Sequence, residues 1–208
     1  MQKLVPDSLD RLYELSNNPD GLIGSSSGFK DLDRNLQGLQ NGDLLVVAGR
    51  PSMGKTAFAM NIAENVLKGK GEDVGAVLVF SLEMPAESLT TRLLSGMAKL
   101  DQQAVRSGRL DNKQVTRVVE ESKKLKELPL YIDDSSLLSP MELRARARRK
   151  NRQLPNGLSL IIVDYLQLMQ VPGSLENRVN QISEISRSLK SLARELEIPI
   201  IALSQLSR

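Results

Sequence analysis

The chain has 208 residues, 40% of them hydrophobic, which is enough to bury one sizeable core and makes a single domain the default. It has neither Cys nor His, which excludes disulfide frameworks, thiolate or imidazole metal sites and Ser-His-Asp catalysis. Carboxylates, Lys, Arg, hydroxyls, amides and a hard cation such as Mg²⁺ remain as chemistry; the net charge of +3 is weak evidence for nucleic acid, because without His to buffer the middle range the isoelectric point of about 9.2 is inflated.

Residues 1 to about 28 read as an appendage. Pro6-Asp7-Ser8 opens a helix whose Leu9, Leu12, Tyr13 and Leu15 share one short apolar face, and Asn17 to Gly21 ends it. Gly24-Ser25-Ser26-Ser27-Gly28 has the composition of a flexible tether. A helix of that size makes no core of its own, which leaves two alternatives: it packs back on its own domain, or it docks on a neighbouring subunit.

The body is expected from Phe29. Asn41-Gly42-Asp43 is a turn, and Leu44 to Ala48 is an apolar run with the character of a buried parallel strand. A helix to about Lys68 and the Gly69–Gly71 loop lead to a second strand, Ala76 to Ser81. Helices follow over 86–98 and 112–127, the second with Val115, Val118, Val119 and Leu125 on one side. Leu130 to Asp133 is a third strand, 140–152 a strongly basic helix, and Leu160 to Asp164 a fourth strand. Over 179–196, Val179, Ile182, Ile185, Leu189, Leu192, Ala193 and Leu196 recur at steps of three and four, as in an amphipathic helix. Pro199 opens a last strand, Ile200 to Ser204. Strands alternating with helices predict an α/β fold: a mostly parallel sheet covered on both faces, with ligands at the carboxyl ends of the strands.

The organising stretch is Gly49-Arg50-Pro51-Ser52-Met53-Gly54-Lys55-Thr56, which fits the phosphate-binding pattern G-x-x-x-x-G-K-[ST] between a strand and a helix. Glycines let the backbone turn its N–H groups toward an anion, and the helix that runs on through Ala57 adds the positive end of its dipole. Lys55 is placed to reach the β- and γ-phosphates of ATP, and the Thr56 hydroxyl to ligate Mg²⁺. No apolar run reaches membrane-span length and the N-terminus has no signal-peptide character, so a cytoplasmic protein is expected.

Polar residues just after apolar strands should face the nucleotide. Glu83 follows the second strand and reads as a general base that orients water on the γ-phosphate, or as a carboxylate favouring the next helix dipole. Asp164 closes the fourth strand as a Walker B acid would, holding Mg²⁺ beside Thr56. Gln205 follows the last strand, where its amide can report the γ-phosphate.

Ser81-Leu82-Glu83-Met84, Asp164-Tyr165-Leu166-Gln167-Leu168 and Ala202-Leu203-Ser204-Gln205-Leu206, in that order after the phosphate loop, resemble the RecA-like motor domain of DnaB-type replicative helicases. Phe29 to Asp33, Tyr131 to Ser136 and Glu184 to Lys190 extend the resemblance over nearly the whole chain; RecA and KaiC proteins share the core without the Asp-Tyr-Leu-Gln-Leu wording. The resemblance implies a RecA-like ATPase of a homo-hexameric ring around single-stranded DNA, with primase and a helicase loader as partners. It makes Glu83 the catalytic base, Gln205 the γ-phosphate sensor coupling to DNA contacts, Arg92 an arginine close to the nucleotide, and residues 7–16 the linker helix that docks on the adjacent subunit. An ATP-binding assembly or switch module of KaiC or RecA type, without unwinding, is the alternative.

Members of that family carry an N-terminal domain before the linker and continue past Arg208 with further strands, a DNA-binding loop and an arginine finger. The chain is therefore expected to be a fragment, divided into a linker at 1–28 and a motor domain at 29–208. For DNA, the loop from Val171 to Arg178 faces the channel in the family, and Arg178 is either a phosphate contact or a solvated arginine. The run Arg144, Arg146, Arg148, Arg149, Lys150 and Arg152 reads rather as a solvated helix face than as a phosphate track, because Leu143 and Ala147 mark its inner side.

Overall fold

In the computed structural model, which describes residues 22–69, 74–170 and 178–206, the short apolar runs form strands and the longer amphipathic ones form helices. In chain order they are α1 (Lys30–Leu36), β1 (Leu44–Gly49), α2 (Lys55–Leu67), β2 (Ala76–Ser81) and α3 (Ala86–Met97). Then come α4 (Gln102–Ser107), α5 (Asn112–Glu127), β3 (Leu130–Asp133), α6 (Pro140–Gln153) and β4 (Leu158–Asp164). A 3₁₀ turn (Leu166–Leu168), α7 (Arg178–Leu196) and β5 (Ile200–Gln205) complete the described chain. The helix expected at 7–16 and the loop residues 171–177 lie outside the described residues.

The strands form one sheet in the order β1-β5-β4-β2-β3, every neighbouring pair parallel. Its register brings the carboxyl ends level: Gly49 lies opposite Gln205, and Ser81 opposite Asp164. One irregularity interrupts it. Ala76 pairs with Leu158 and Val77 with Leu160, leaving over Ser159, whose hydroxyl donates to the Gly75 carbonyl at 2.8 Å.

Because strand side chains alternate, each strand feeds two cores. Val77, Val79, Leu160, Ile162, Ile201 and Leu203 pack on the face covered by α2 and α3, with Ile62, Ala63 and Leu89. Leu78, Phe80, Ile161, Val163, Ile200 and Ala202 pack on the other, with Leu143 and Ala147 of α6 and Ile185 and Leu189 of α7. Both faces are covered, as the alternation of elements predicts.

Four details differ from the sequence expectation. β1 is an edge strand with β5 as its one described neighbour, and Val46 is 47% exposed. Residues 24–28, expected as a tether, are bound into the domain: Ser25 pairs with Leu39, Ser26 and Ser27 hydrogen-bond Asp33, and Asn65 donates to the Ser27 carbonyl. A Cβ at Gly24 would stand 2.2 Å from the Leu39 carbonyl oxygen, so this glycine serves a close backbone approach rather than flexibility. On α5, Val115 and Val119 are half exposed and the packing into the core comes from Leu125. The short α4 has no periodicity to announce it; Asp101 caps it by accepting from the Ala104 N–H at 2.9 Å, and Gly108 ends it in the left-handed region.

The basic helix α6 is tied down by its own charges. Arg144 and Arg148 both pair with Glu195 of α7, Arg146 donates to both carboxylate oxygens of Asp133 at 3.0 and 2.8 Å, and the Lys150 ammonium sits 3.8 Å over the Tyr131 ring.

Candidate nucleotide-binding site

The site assembles where four strand ends meet. After β1 the chain turns through Ser52 (φ 61°) and Gly54 (φ 83°), both left-handed, before α2 starts at Lys55. A Cβ on Gly54 would meet nothing within 4 Å, so that glycine is required by backbone conformation and faces open space. Gly49 keeps an ordinary strand conformation; a Cβ there would meet the Lys55 stem at 3.4 Å. Lys55 Nζ donates to the Gly49 and Arg50 carbonyls, each at 2.9 Å, which holds the ammonium inside the loop.

The Thr56 hydroxyl donates to Asp164 Oδ2 at 2.7 Å, joining the start of α2 to the end of β4. Asp164 is 3% exposed. Burial pushes its carboxyl above the usual range, against the Thr56 bond and the charges of Lys55 and Arg92, which favour the ionised form. The Asp164 carbonyl accepts from the Leu82 N–H at 2.7 Å, and Ser81 Oγ donates to the Met84 carbonyl at 2.6 Å, fixing the turn that presents Glu83. Asp134 accepts from the Ala86 N–H at 2.9 Å and pins the start of α3.

Between these elements lies a cleft of about 570 Å³. Of the residues expected at the nucleotide, Pro51, Ser52, Gly54, Lys55, Thr56, Ala57, Glu83, Arg92, Asp164 and Gln205 line it. Gly49 and Arg50 do not line it but hold Lys55 through their carbonyls, and Met53 lies outside it, 73% exposed. Glu83 and Arg92 have no hydrogen bond or ion pair to another described residue, leaving a carboxylate and a cation free to act on a ligand. Arg178 stands apart at the start of α7, donating to the Gln167 carbonyl and to Gln181 Oε1. Met84, Gln102 and Tyr165 also line the cleft and are not among the site residues the sequence points to. Met84 and Tyr165 adjoin Glu83 and Asp164 and lie within reach of the strand-end rule; Gln102 carries no signal of its own.

The residues fit a magnesium nucleotide. The loop supplies N–H groups, an ammonium and a helix N-terminus for phosphates. Thr56 and Asp164 put a hydroxyl and a carboxylate in contact, the hard oxygens that Mg²⁺ takes alongside water and phosphate.

A parallel sheet with a glycine loop after one strand and an acid at the end of a neighbour defines a RecA-like P-loop nucleotide-binding domain. Residues 24–208 match the family described as DnaB-like helicase C terminal domain, and the chain belongs to that family. It is 50% identical over 209 residues to the replicative DNA helicase DnaB of Pasteurella multocida, covering 99% of this chain and 44% of that protein. Against DnaB of Buchnera aphidicola subsp. Acyrthosiphon pisum it is 46% identical over 210 residues, covering 100% and 45%. Among solved structures, a DnaB-like replicative helicase studied for its interactions with primase superposes with a TM-score of 0.86 at 34% identity, over 97% of this chain and 48% of that one. A second solved structure, of an ATPase domain, gives 0.87 at 33%, over 98% and 72%. The chain thus spans less than half the length of the DnaB proteins it matches. Among the described residues, no helix is long and apolar enough to cross a membrane.

Proposed function

We propose that this chain is the ATP-hydrolysing motor of a replicative DNA helicase. It would work as a subunit of a homo-hexamer, using Mg-ATP to move along single-stranded DNA beside a primase and a loader. The observation that carries the reading is the Thr56–Asp164 contact at 2.7 Å, on the wall of a cleft that also holds Lys55, Glu83, Arg92 and Gln205.

In this reading the loop N–H groups bind the phosphates, and Lys55 exchanges its carbonyl partners for β- and γ-phosphate oxygens. Thr56 and Asp164 would hold Mg²⁺, which when bound would neutralise charge on the phosphates. Glu83 aligns a water and accepts its proton as the water oxygen bonds to the γ-phosphorus. The bond to the departing ADP oxygen then breaks, leaving ADP and inorganic phosphate. Arg92 and Gln205 line the cleft where charge develops, and Arg178 contacts the strand backbone without reading sequence.

The test is Lys55→Ala, read by binding of a fluorescent ATP analogue with Mg²⁺ and by phosphate release with and without oligo-dT. Binding and turnover should both be lost. Unchanged affinity and unchanged turnover in the variant would remove the phosphate loop from the mechanism.

A further inference from the structure

β4 and β5 part company before the site. Their last paired residues are Val163 and Ala202, yet β5 runs on to Gln205. In a parallel strand the N–H and C=O of one residue point to the same side. The Leu206 N–H turns toward β1 and donates to the Gly49 carbonyl at 3.1 Å. Gln205 turns its own N–H and C=O toward the side that β4 has left. Gln167, on the 3₁₀ turn, fills that place with its side chain. Its Oε1 accepts from the Gln205 N–H at 3.1 Å, and its Nε2 donates to the Gln205 carbonyl at 3.1 Å and to Ser204 Oγ at 2.9 Å. One side-chain amide thus stands in for a missing peptide unit of β4.

The backbone of the same residue leads elsewhere. The Gln167 carbonyl accepts from the Arg178 guanidinium at the start of α7. Gln167 does not line the nucleotide cleft, whereas Gln205 does. Gln205, which lines the cleft, and Arg178, which is exposed, are thus joined through Gln167 by direct hydrogen bonds.

We propose that Gln167 is a positioning residue: it holds Gln205 in the cleft and ties it to Arg178, so that γ-phosphate occupancy and strand binding are linked through one side chain. The inference rests on the helicase reading, because it takes the ligands at the two ends from there. A rigid two-point clamp on Gln205 means that a shift of this residue toward the γ-phosphate carries Gln167, and with it the carbonyl that holds Arg178. Linkage makes the effect reciprocal, and couplings of this kind run to roughly 5–150-fold in affinity.

The experiment compares the wild-type chain with Gln167→Met, which keeps the side-chain length and removes all three bonds, and with Ser204→Ala, which removes one. Two ratios are measured: the affinity for AMP-PNP over ADP with Mg²⁺, and the affinity for fluorescein-labelled oligo-dT with AMP-PNP over that with ADP. Thermal unfolding of each variant checks that the fold is retained. In Gln167→Met, ADP affinity should hold within about twofold while both ratios fall by roughly fivefold or more. Ser204→Ala should move both in the same direction by less. Wild-type ratios in a folded Gln167→Met overturn the clamp and leave the helicase reading standing. A Gln167→Met too unstable to measure transfers the decision to Ser204→Ala, whose unchanged ratios would equally overturn it. A wild-type chain that binds neither nucleotide overturns the helicase reading and the clamp together.

Discussion

Thr56 and Asp164 lie 108 positions apart and meet at 2.7 Å, the hydroxyl of the first helical turn after the phosphate loop donating to a carboxylate that the sheet buries. That position is costly for the free protein. Burial raises the carboxyl above its ordinary 3.8, so between 3.8 and the raised value the native state holds a proton that the unfolded chain has released. Stability from this group therefore falls as pH rises through that window, and the buried acid is a liability kept for its ligand.

Asp164→Asn should accordingly raise the thermal midpoint of the nucleotide-free chain at pH 7, where 1 kcal/mol corresponds to about 2–4 °C in a domain of this size. The gain should shrink as pH falls toward 3.8. The extra stabilisation that Mg-AMP-PNP gives the wild type should vanish. Scanning fluorimetry over a pH series reads both effects, and a variant less stable than wild type at pH 7 without nucleotide would refute the burial argument.

Glu83 is exposed, lines the cleft and has no partner among the described residues. Glu83→Gln retains its size and its acceptor oxygen but no longer takes a proton. Phosphate release should fall by about 10²–10⁴-fold with nucleotide affinity unchanged. A variant that hydrolyses at the wild-type rate would make Glu83 a helix-dipole carboxylate, the other reading that its position allows.

The elements that position the site are legible in the sequence because each has a periodicity or a local chemical mark. β2 up to Phe80 and β4 from Leu160 to Val163 are apolar runs because both faces of the sheet are covered, and the steps of three and four among the apolar residues over 179–196 mark α7. What stays hidden depends on contacts between distant segments. The serines at 25–27 have linker composition, and nothing local says that Asp33 and Asn65 hold them. Val46 is as apolar as any residue in β2, but its exposure follows from strand order, which adjacent residues do not encode. Gln167 stands in the sequence as one letter of a motif, and its role at Gln205 emerges only once β4 and β5 are seen to diverge.

The pairing of Arg144 and Arg148 with Glu195 favours the helix-face reading of the basic helix over the phosphate track. These partly exposed pairs contribute about 0.2–1 kcal/mol each. The double variant Arg144→Gln/Arg148→Gln should lose on the order of 1 kcal/mol in urea unfolding. The dependence of oligo-dT affinity on salt should stay as it is, because each lost phosphate contact lowers the log–log slope by about 1. A flatter slope in the double variant would restore the helix as a DNA track.

Asp33 anchors the segment that precedes the sheet. Its Oδ1 accepts from the Ser27 N–H at 2.8 Å and its Oδ2 from the Ser26 hydroxyl at 2.7 Å, in a nearly buried position. Burial alone would raise this carboxyl; the bonds from Ser26, Ser27 and Gly28 outweigh it and hold the group below its ordinary 3.8. A depressed carboxyl stabilises the fold fully above the unfolded value and loses that contribution as pH falls through the folded one. Asp33→Ala leaves the Ser27 N–H without an acceptor and should cost about 1–3 kcal/mol at pH 7. The gap between wild type and variant in urea unfolding should stay constant from neutral pH down to the unfolded value and close only below 3.8. A gap that narrows already above that value, or that is absent at pH 7, would return residues 24–28 to the role of a loose tether.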